Sequence, residues 1–254
     1  MIDSNLKKRI IPSILVNNYQ VVKSKCFKDH RIFGNLIQTV ELFCMRKVDE
    51  LVILDIDTSK KKLPIDSRIL NLMTSNSLIP ITYGGGIKTL FDIEKCLETG
   101  CEKVILNSVL FEDKTILDQA VKNFGSQSII VNIDIKSVNH EFKIYNHSKY
   151  TIEKIELDNF INFCHDYNCG EITVNSVDND GLMQGYRLDL LKKLRSKINK
   201  PLIINGGCGQ PSHMKDAIEL GADACMGGSI FFFSRYSYSD IKKFLFNEKV
   251  NIRI

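Results

Sequence analysis

Two glycine-rich turns, each paired with a small-residue turn further along, carry the plainest chemical signal in this sequence. The first pair is Tyr83-Gly84-Gly85-Gly86-Ile87 and Leu106-Asn107-Ser108. The second is Asn205-Gly206-Gly207-Cys208-Gly209 and Met226-Gly227-Gly228-Ser229. Glycine lets the backbone approach an oxyanion closely, and its exposed N–H groups donate to phosphate oxygens. The hydroxyls of Ser108 and Ser229 add donors. One such turn alone reads as a tight bend. Two matched pairs read as two phosphate sites, and therefore as an elongated ligand with a phosphate at each end.

The elements that must position these turns follow from a repeat. At an offset of 121, Glu50 meets Glu171, Asp57 meets Asp178, Pro80 meets Pro201, Gly85 and Gly86 meet Gly206 and Gly207, and Ser108 meets Ser229. Short Ile- and Val-rich runs predict strands at 9–15, 50–56, 79–83, 103–107, 128–134, 171–176, 201–205 and 224–228. Most lack polar alternation, as expected of parallel strands buried on both faces. Helical patterns fill the gaps, for example 92–99 before Gly100 and 214–220 before Gly221. Alternation alone fits either a closed barrel or an open doubly wound sheet. The repeat favours one α/β domain over residues 1–254, a (β/α)8 TIM barrel built from two half-barrels.

Composition narrows the class. The formal charge is +4 over 254 residues, and the clusters Lys60-Lys61-Lys62 and Lys192-Lys193 are short, so both read as solvated faces and not as a nucleic-acid surface. The opening MIDSNLKKRIIPSIL has too short an apolar run for a signal peptide, and no stretch is long enough to span a bilayer. A cytoplasmic protein without membrane contact is expected. The eight cysteines include no CxxC pair, and the five histidines are scattered. Free, mostly buried thiols and no metal site or cofactor are expected.

The strings RIIPSIL, ELVILDID, PITYGGGI, FGSQSIIVNIDIK, GEITVNSVDNDG and GADACMGGSIF, in that order, resemble the cyclase subunit of imidazole glycerol phosphate synthase, the HisF-type branch of the HisA/HisF family. The resemblance covers nearly the whole chain. It implies a glutaminase partner of the HisH type, whose ammonia crosses the barrel to a bisphosphorylated ribonucleotide and yields imidazole glycerol phosphate and an aminoimidazole carboxamide ribotide in histidine biosynthesis. It also assigns residues. Asp134 matches the strand-five general acid/base. Asp55, Asp180 and Lys23 match substrate contacts, and the phosphate turns fall on Gly86, Asn107, Ser108, Gly207, Gly228 and Ser229. A ring that gates ammonia entry falls on Arg9, Glu50, Lys103 and Glu171, with Glu102 beside it as a contact to the partner.

The main departure is Leu15, which stands where the family carries a second catalytic aspartate, in Arg9-Ile10-Ile11-Pro12-Ser13-Ile14-Leu15. Loss of one of two acid/base groups lowers rates by about 10²–10⁴-fold. Asn175 in place of threonine, Leu182, and Ser24 after Lys23 are lesser departures near the substrate. Relatives lacking the strand-one aspartate resemble ammonia-delivering paralogues that make an amidino group on a sugar in surface-polysaccharide pathways. A barrel that only activates the glutaminase is a third expectation.

Overall fold

The computed structural model describes residues 6–61 and 63–253; residues 1–5, Lys62, Ile254 and the side chains of Asp29, Ser59, Lys60 and Lys61 lie outside it. The strands are β1 (Arg9–Asn17), β2 (Gln20–Lys25), β3 (Lys28–Asn35), β4 (Leu51–Asp55), β5 (Ile81–Gly84), β6 (Lys103–Leu106), β7 (Ile129–Val138), β8 (Glu141–Asn146), β9 (Thr151–Ile152), β10 (Glu171–Ser176), β11 (Leu202–Asn205) and β12 (Ala224–Gly227). Eight of them pair in parallel in the order β1, β4, β5, β6, β7, β10, β11, β12, and β12 returns to β1. Helices follow these strands in the chain, so the fold is the closed (β/α)8 barrel.

The repeat is written into the register. Leu51 pairs with Ile81 and Ile172 with Leu202; Thr82 pairs with Lys103 and Ile203 with Ala224. Each second pairing is the first moved by the same offset of 121. The two half-barrels therefore share strand geometry as well as sequence.

Alternate residues of each strand face the barrel axis. At the bottom stand Arg9, Glu50, Lys103 and Glu171. Above them Ile11, Val52, Ile105, Ile130, Ile203, Ala224 and Met226 form a buried apolar cluster separate from the main core. Higher still come Ser13, Leu54, Asn107, Asn132, Asn175 and Asn205, which line an open cavity. The opposite faces of the strands carry Ile10, Ile14, Ile53, Val104, Val131 and Val174, which pack under the helices in the main core.

Helix limits differ from the sequence expectation for capping reasons. The helix expected at 92–99 runs Leu90–Glu98, because Thr89 and Asp92 form a reciprocal capping box one turn earlier. The helix expected at 214–220 runs Pro211–Glu219, with proline at its first turn, where its missing N–H has no partner to lose. Lys192 and Lys193 are exposed, as read from the sequence. No helix among the described residues is long and apolar enough to cross a membrane. All eight cysteines are free thiols, six of them buried.

Two antiparallel arms rise from the barrel and were not foreseen. β1 runs past the barrel rim into a hairpin with β2, and β7 does so with β8. The turns use Asn18-Tyr19 and Asn139-His140, all four with left-handed φ between 46° and 65°. That is the hairpin turn matched to strand twist, and asparagine tolerates its first position. The β2–β3 arm docks on the loop after β10: the Cys26 N–H donates to the Asp180 carbonyl, and Gly181 lies against the Ser24 carbonyl.

Candidate functional site

An open cavity of about 1190 Å³, its mouth included, sits at the C-terminal ends of the barrel strands. Lys23, Asp55, Gly85, Gly86, Asn107, Ser108, Asp134, Asn175, Asp180 and Gly228 line it. A small adjoining recess is lined by Asp180, Gly206, Gly207, Gly228 and Ser229. The structure thus brings every cavity residue named from the sequence to one end of the barrel. It brings Arg9, Glu50, Lys103 and Glu171 together at the other end.

The glycine turns are tight for a physical reason. Gly85 and Gly207 have φ of +108° and +102°, and a Cβ on either would collide with a carbonyl oxygen, that of Asp55 or of Gly185. Short helices then start at Ser108 and Ser229. The Lys23 ammonium lies directly over Gly228, in space that any side chain there would occupy. The Phe232 ring lies 5.9 Å from that ammonium. Burial draws the pKa of Lys23 down, while the carboxylate of Asp180 opposes the shift. Asp180 is pushed up to about 6 by burial, with Lys23 opposing and the charge of Asp134 adding.

Asp134 accepts four side-chain hydrogen bonds in the cavity. Its Oδ1 accepts from Asn132 Nδ2 and Asn175 Nδ2, both at 3.0 Å. Its Oδ2 accepts from Asn107 Nδ2 at 2.9 Å and from His147 Nδ1 at 3.0 Å. Burial raises its pKa, but the hydrogen bond and charge of His147 and the bonds from Asn175 and Asn132 outweigh that, holding the carboxyl below its ordinary range. Because a carboxylate only accepts, the three amide carbonyls are turned away from it. Those of Asn107 and Asn175 are buried with no protein partner, as is the hydroxyl of Thr173.

Asp55 has a different occupation. Its carboxylate accepts from the backbone N–H groups of Asp57 and Thr58, both at 3.0 Å, and from Thr58 Oγ1 at 2.7 Å. It holds the first turn of the short helix Ile56–Lys61 and contacts the cavity from that position.

Leu15 also lines the cavity. It pairs with Leu54 on β4, whereas Asp134 pairs with Asn175 on β10, and Leu54 and Asn175 are repeat counterparts. Leu15 and Asp134 therefore hold equivalent places in the two half-barrels. One half presents a carboxylate there and the other an isobutyl group.

At the barrel floor the four charges close a ring. Arg9 donates to Glu50 at 2.8 Å and to Glu171 at 2.7 Å; Lys103 donates to Glu171 at 2.7 Å and lies 3.6 Å from Glu50. Thr82 Oγ1 holds the other Glu50 oxygen at 2.7 Å. Burial raises the pKa of Glu171, and Arg9 followed by Lys103 more than reverse it, so the group is held below its ordinary value. Glu102 is exposed beside the ring.

Among the cavity residues that escaped the sequence reading are Asn132 and His147, both bonded to Asp134. Asn132 carried a signal, since it lies two positions before Asp134 and so on the same strand face. His147 carried none, because its approach to Asp134 depends on the unforeseen β7–β8 hairpin.

The family described as "Histidine biosynthesis protein" matches residues 9–237. A protein of Campylobacter jejuni subsp. jejuni named "Putative imidazole glycerol phosphate synthase subunit hisF2" is 42% identical over 98% of this chain and 99% of its own length. Proteins named imidazole glycerol phosphate synthase subunit HisF from Campylobacter concisus and Dehalococcoides mccartyi are 35% and 31% identical, again over 98% or more of both chains. Barrel, duplicated turns and full-length similarity agree: the chain belongs to the histidine biosynthesis barrel family, on its HisF side.

Proposed function

We propose that this chain is the synthase subunit of a glutamine amidotransferase complex. It takes ammonia from a HisH-type glutaminase docked under the barrel floor and adds it to an elongated acceptor with two phosphates. The family reaction, cyclisation of a bisphosphorylated ribonucleotide to imidazole glycerol phosphate and an aminoimidazole carboxamide ribotide, is the reading adopted. One observation carries it: two repeat-related glycine turns border one cavity whose floor is a closed ring of four charges. The turns suit two phosphates. The apolar cluster between ring and cavity admits neutral ammonia more readily than ammonium, because a bare cation loses hydration there. The unpartnered Thr173 hydroxyl offers a hydrogen-bonding station along that path.

Gly207→Ala tests the cradle. It forces a side chain into a left-handed turn and into the Gly185 carbonyl, at about 1–3 kcal/mol in stability. Inorganic phosphate, titrated by NMR, is expected to lose the β11–β12 recess and keep the β5–β6 turn. Equal binding at both would remove the reason for a two-phosphate acceptor.

A second reading is favoured by Leu15: delivery of ammonia to an amidino-forming sugar acceptor in surface-polysaccharide synthesis, with little cyclase activity. Turnover of the bisphosphorylated ribonucleotide with ammonium salts separates the two. We expect measurable cyclisation in the wild type and a rise of about tenfold or more in Leu15→Asp, part of what a second acid/base group commonly contributes. No turnover by either form would transfer the case to the sugar acceptor.

A further inference from the structure

We infer that His213 is a positioning residue for the second glycine turn and holds it only while its imidazole is neutral, so that this turn, unlike the first, loosens in mild acid. The inference deepens the two-phosphate reading and rests on it. The observation is a pair of backbone bonds related by the repeat. Thr89 and Gln210 are the N-caps of the helices Leu90–Glu98 and Pro211–Glu219, and Asp92 and His213 stand three residues further on. At the offset of 121, Lys88 meets Gly209, Thr89 meets Gln210 and Asp92 meets His213. In the first half the N–H groups of Lys88 and Thr89 donate to Asp92 Oδ2 at 3.0 and 2.9 Å. In the second half the Gly209 N–H donates to His213 Nδ1 at 3.2 Å. The same bond closes both turns, to a carboxylate in one and to an imidazole in the other. A carboxylate accepts throughout the neutral range, whereas an imidazole nitrogen accepts only while it lacks a proton.

The ring supports the turn at a second point. Gly185 lies against it: a Cβ there would stand 3.8 Å from Cδ2, Cε1 and Nε2 of the imidazole. The Gly185 N–H in turn donates to the Gly207 carbonyl at 2.8 Å. Gly207 lines the recess together with Gly206 and Cys208. His213 therefore holds Gly209 directly and Gly207 through Gly185.

A backbone N–H can only donate, so Nδ1 accepts and the neutral ring carries its hydrogen on Nε2. The end of the Gln210 amide that lies 3.0 Å from Nε2 must then be its oxygen, since either end of an amide fills the same place. Protonation of Nδ1 sets two N–H groups against each other and frees Gly209. Burial draws the pKa of His213 down, and Asp216, on the same helix, opposes the shift. Gly185, Gly209 and Gln210, which meet the ring from the neighbouring loop and the turn, carry no charge. Two titratable groups border the recess itself. Cys208 is pushed up to about 12 by burial and stays a thiol. Asp180, pushed up to about 6, gains a proton in mild acid, which favours an anion and so works against the effect of His213.

The test uses the ¹⁵N-labelled full chain and inorganic sulfate, an anion that keeps both charges through the range. As pH is lowered, the Gly209 amide should shift in step with the His213 ring while the Lys88 amide does not, and the neutral ring should be the Nε2–H tautomer. His213→Asp installs the acceptor of the first half and leaves Asp180 in place. Relative to that variant, wild type should lose about threefold to tenfold in sulfate affinity at the recess as pH falls below the ordinary histidine range, the worth of one hydrogen bond. Asp92→His should transfer the same acid sensitivity to the β5 turn. An Nδ1–H tautomer, a Gly209 amide that ignores the ring, or equal pH responses of wild type and His213→Asp would overturn the inference. Sulfate at neither turn would sink the two-phosphate reading, and the amide titration would then decide the role of His213 by itself.

Discussion

Asp134→Asn is expected to lower ammonium-dependent turnover about 10²–10⁴-fold, with KM little changed and the chain still folded. The substitution keeps the shape and inverts the hydrogen-bond sense of one carboxylate oxygen. Two of the four donors that converge on Asp134 then face an amide N–H. A buried donor left without an acceptor costs about 1–3 kcal/mol. Two such losses leave a barrel of this size folded, since domains have about 5–15 kcal/mol in hand. What is lost is the fixed negative charge that orders Asn107, Asn132, Asn175 and His147 around the reaction centre. The measurements are steady-state kinetics with ammonium chloride and a thermal melt. A raised KM with unchanged kcat would make Asp134 a binding group and remove it from proton transfer.

How much of this was legible beforehand depended on which period carried the information. Barrel strands, glycine turns and floor charges all sit at fixed places in a repeat, so the offset that links Gly85 to Gly206 also links Glu50 to Glu171. Leu15 was legible too, and the register makes its meaning concrete by placing it at the level of Asp134. The hairpin arms were not legible. Charged and polar residues interrupt them, as in Gln20-Val21-Val22-Lys23-Ser24-Lys25 and Glu141-Phe142-Lys143-Ile144, so they lack the apolar runs by which buried strands announce themselves. The turn at Cys26-Phe27 adopts left-handed φ of 48° and 64° without glycine or asparagine, so its chemistry gave no cue. His147 follows from that gap. A histidine thirteen positions from Asp134 becomes its neighbour only when β8 folds back along β7. Five scattered histidines thus concealed two, His30 and His147, that line the cavity. Asp55 illustrates the reverse error of emphasis: its place in the cavity was foreseen, while its carboxylate was already engaged in holding the next turn.

Arg9→Ala should have the largest effect on stability. It removes one of the two cations that join Glu50 to Glu171, leaving two buried carboxylates to share Lys103. Breaking a buried ion pair from one side costs about 3–5 kcal/mol, which for a domain of this length lowers Tm by on the order of 10 °C. The pH dependence identifies the cause. The folded pKa of Glu171 lies below its ordinary value of 4.5. Its contribution is therefore complete above pH 4.5 and is lost as pH falls through the depressed folded value. In Arg9→Ala that depression shrinks, so the Tm gap between wild type and variant should be widest near neutrality and close in acid. A gap that stays constant down to strongly acid pH would mean that Arg9 stabilises through its packed stem and not its charge. Function should divide along the same line. With glutamine and the glutaminase, turnover should fall because the floor no longer closes against the partner. With ammonium salts entering from solvent, it should persist at temperatures where the variant is folded. Equal losses with both nitrogen sources would show that the ring holds the barrel together without governing ammonia entry.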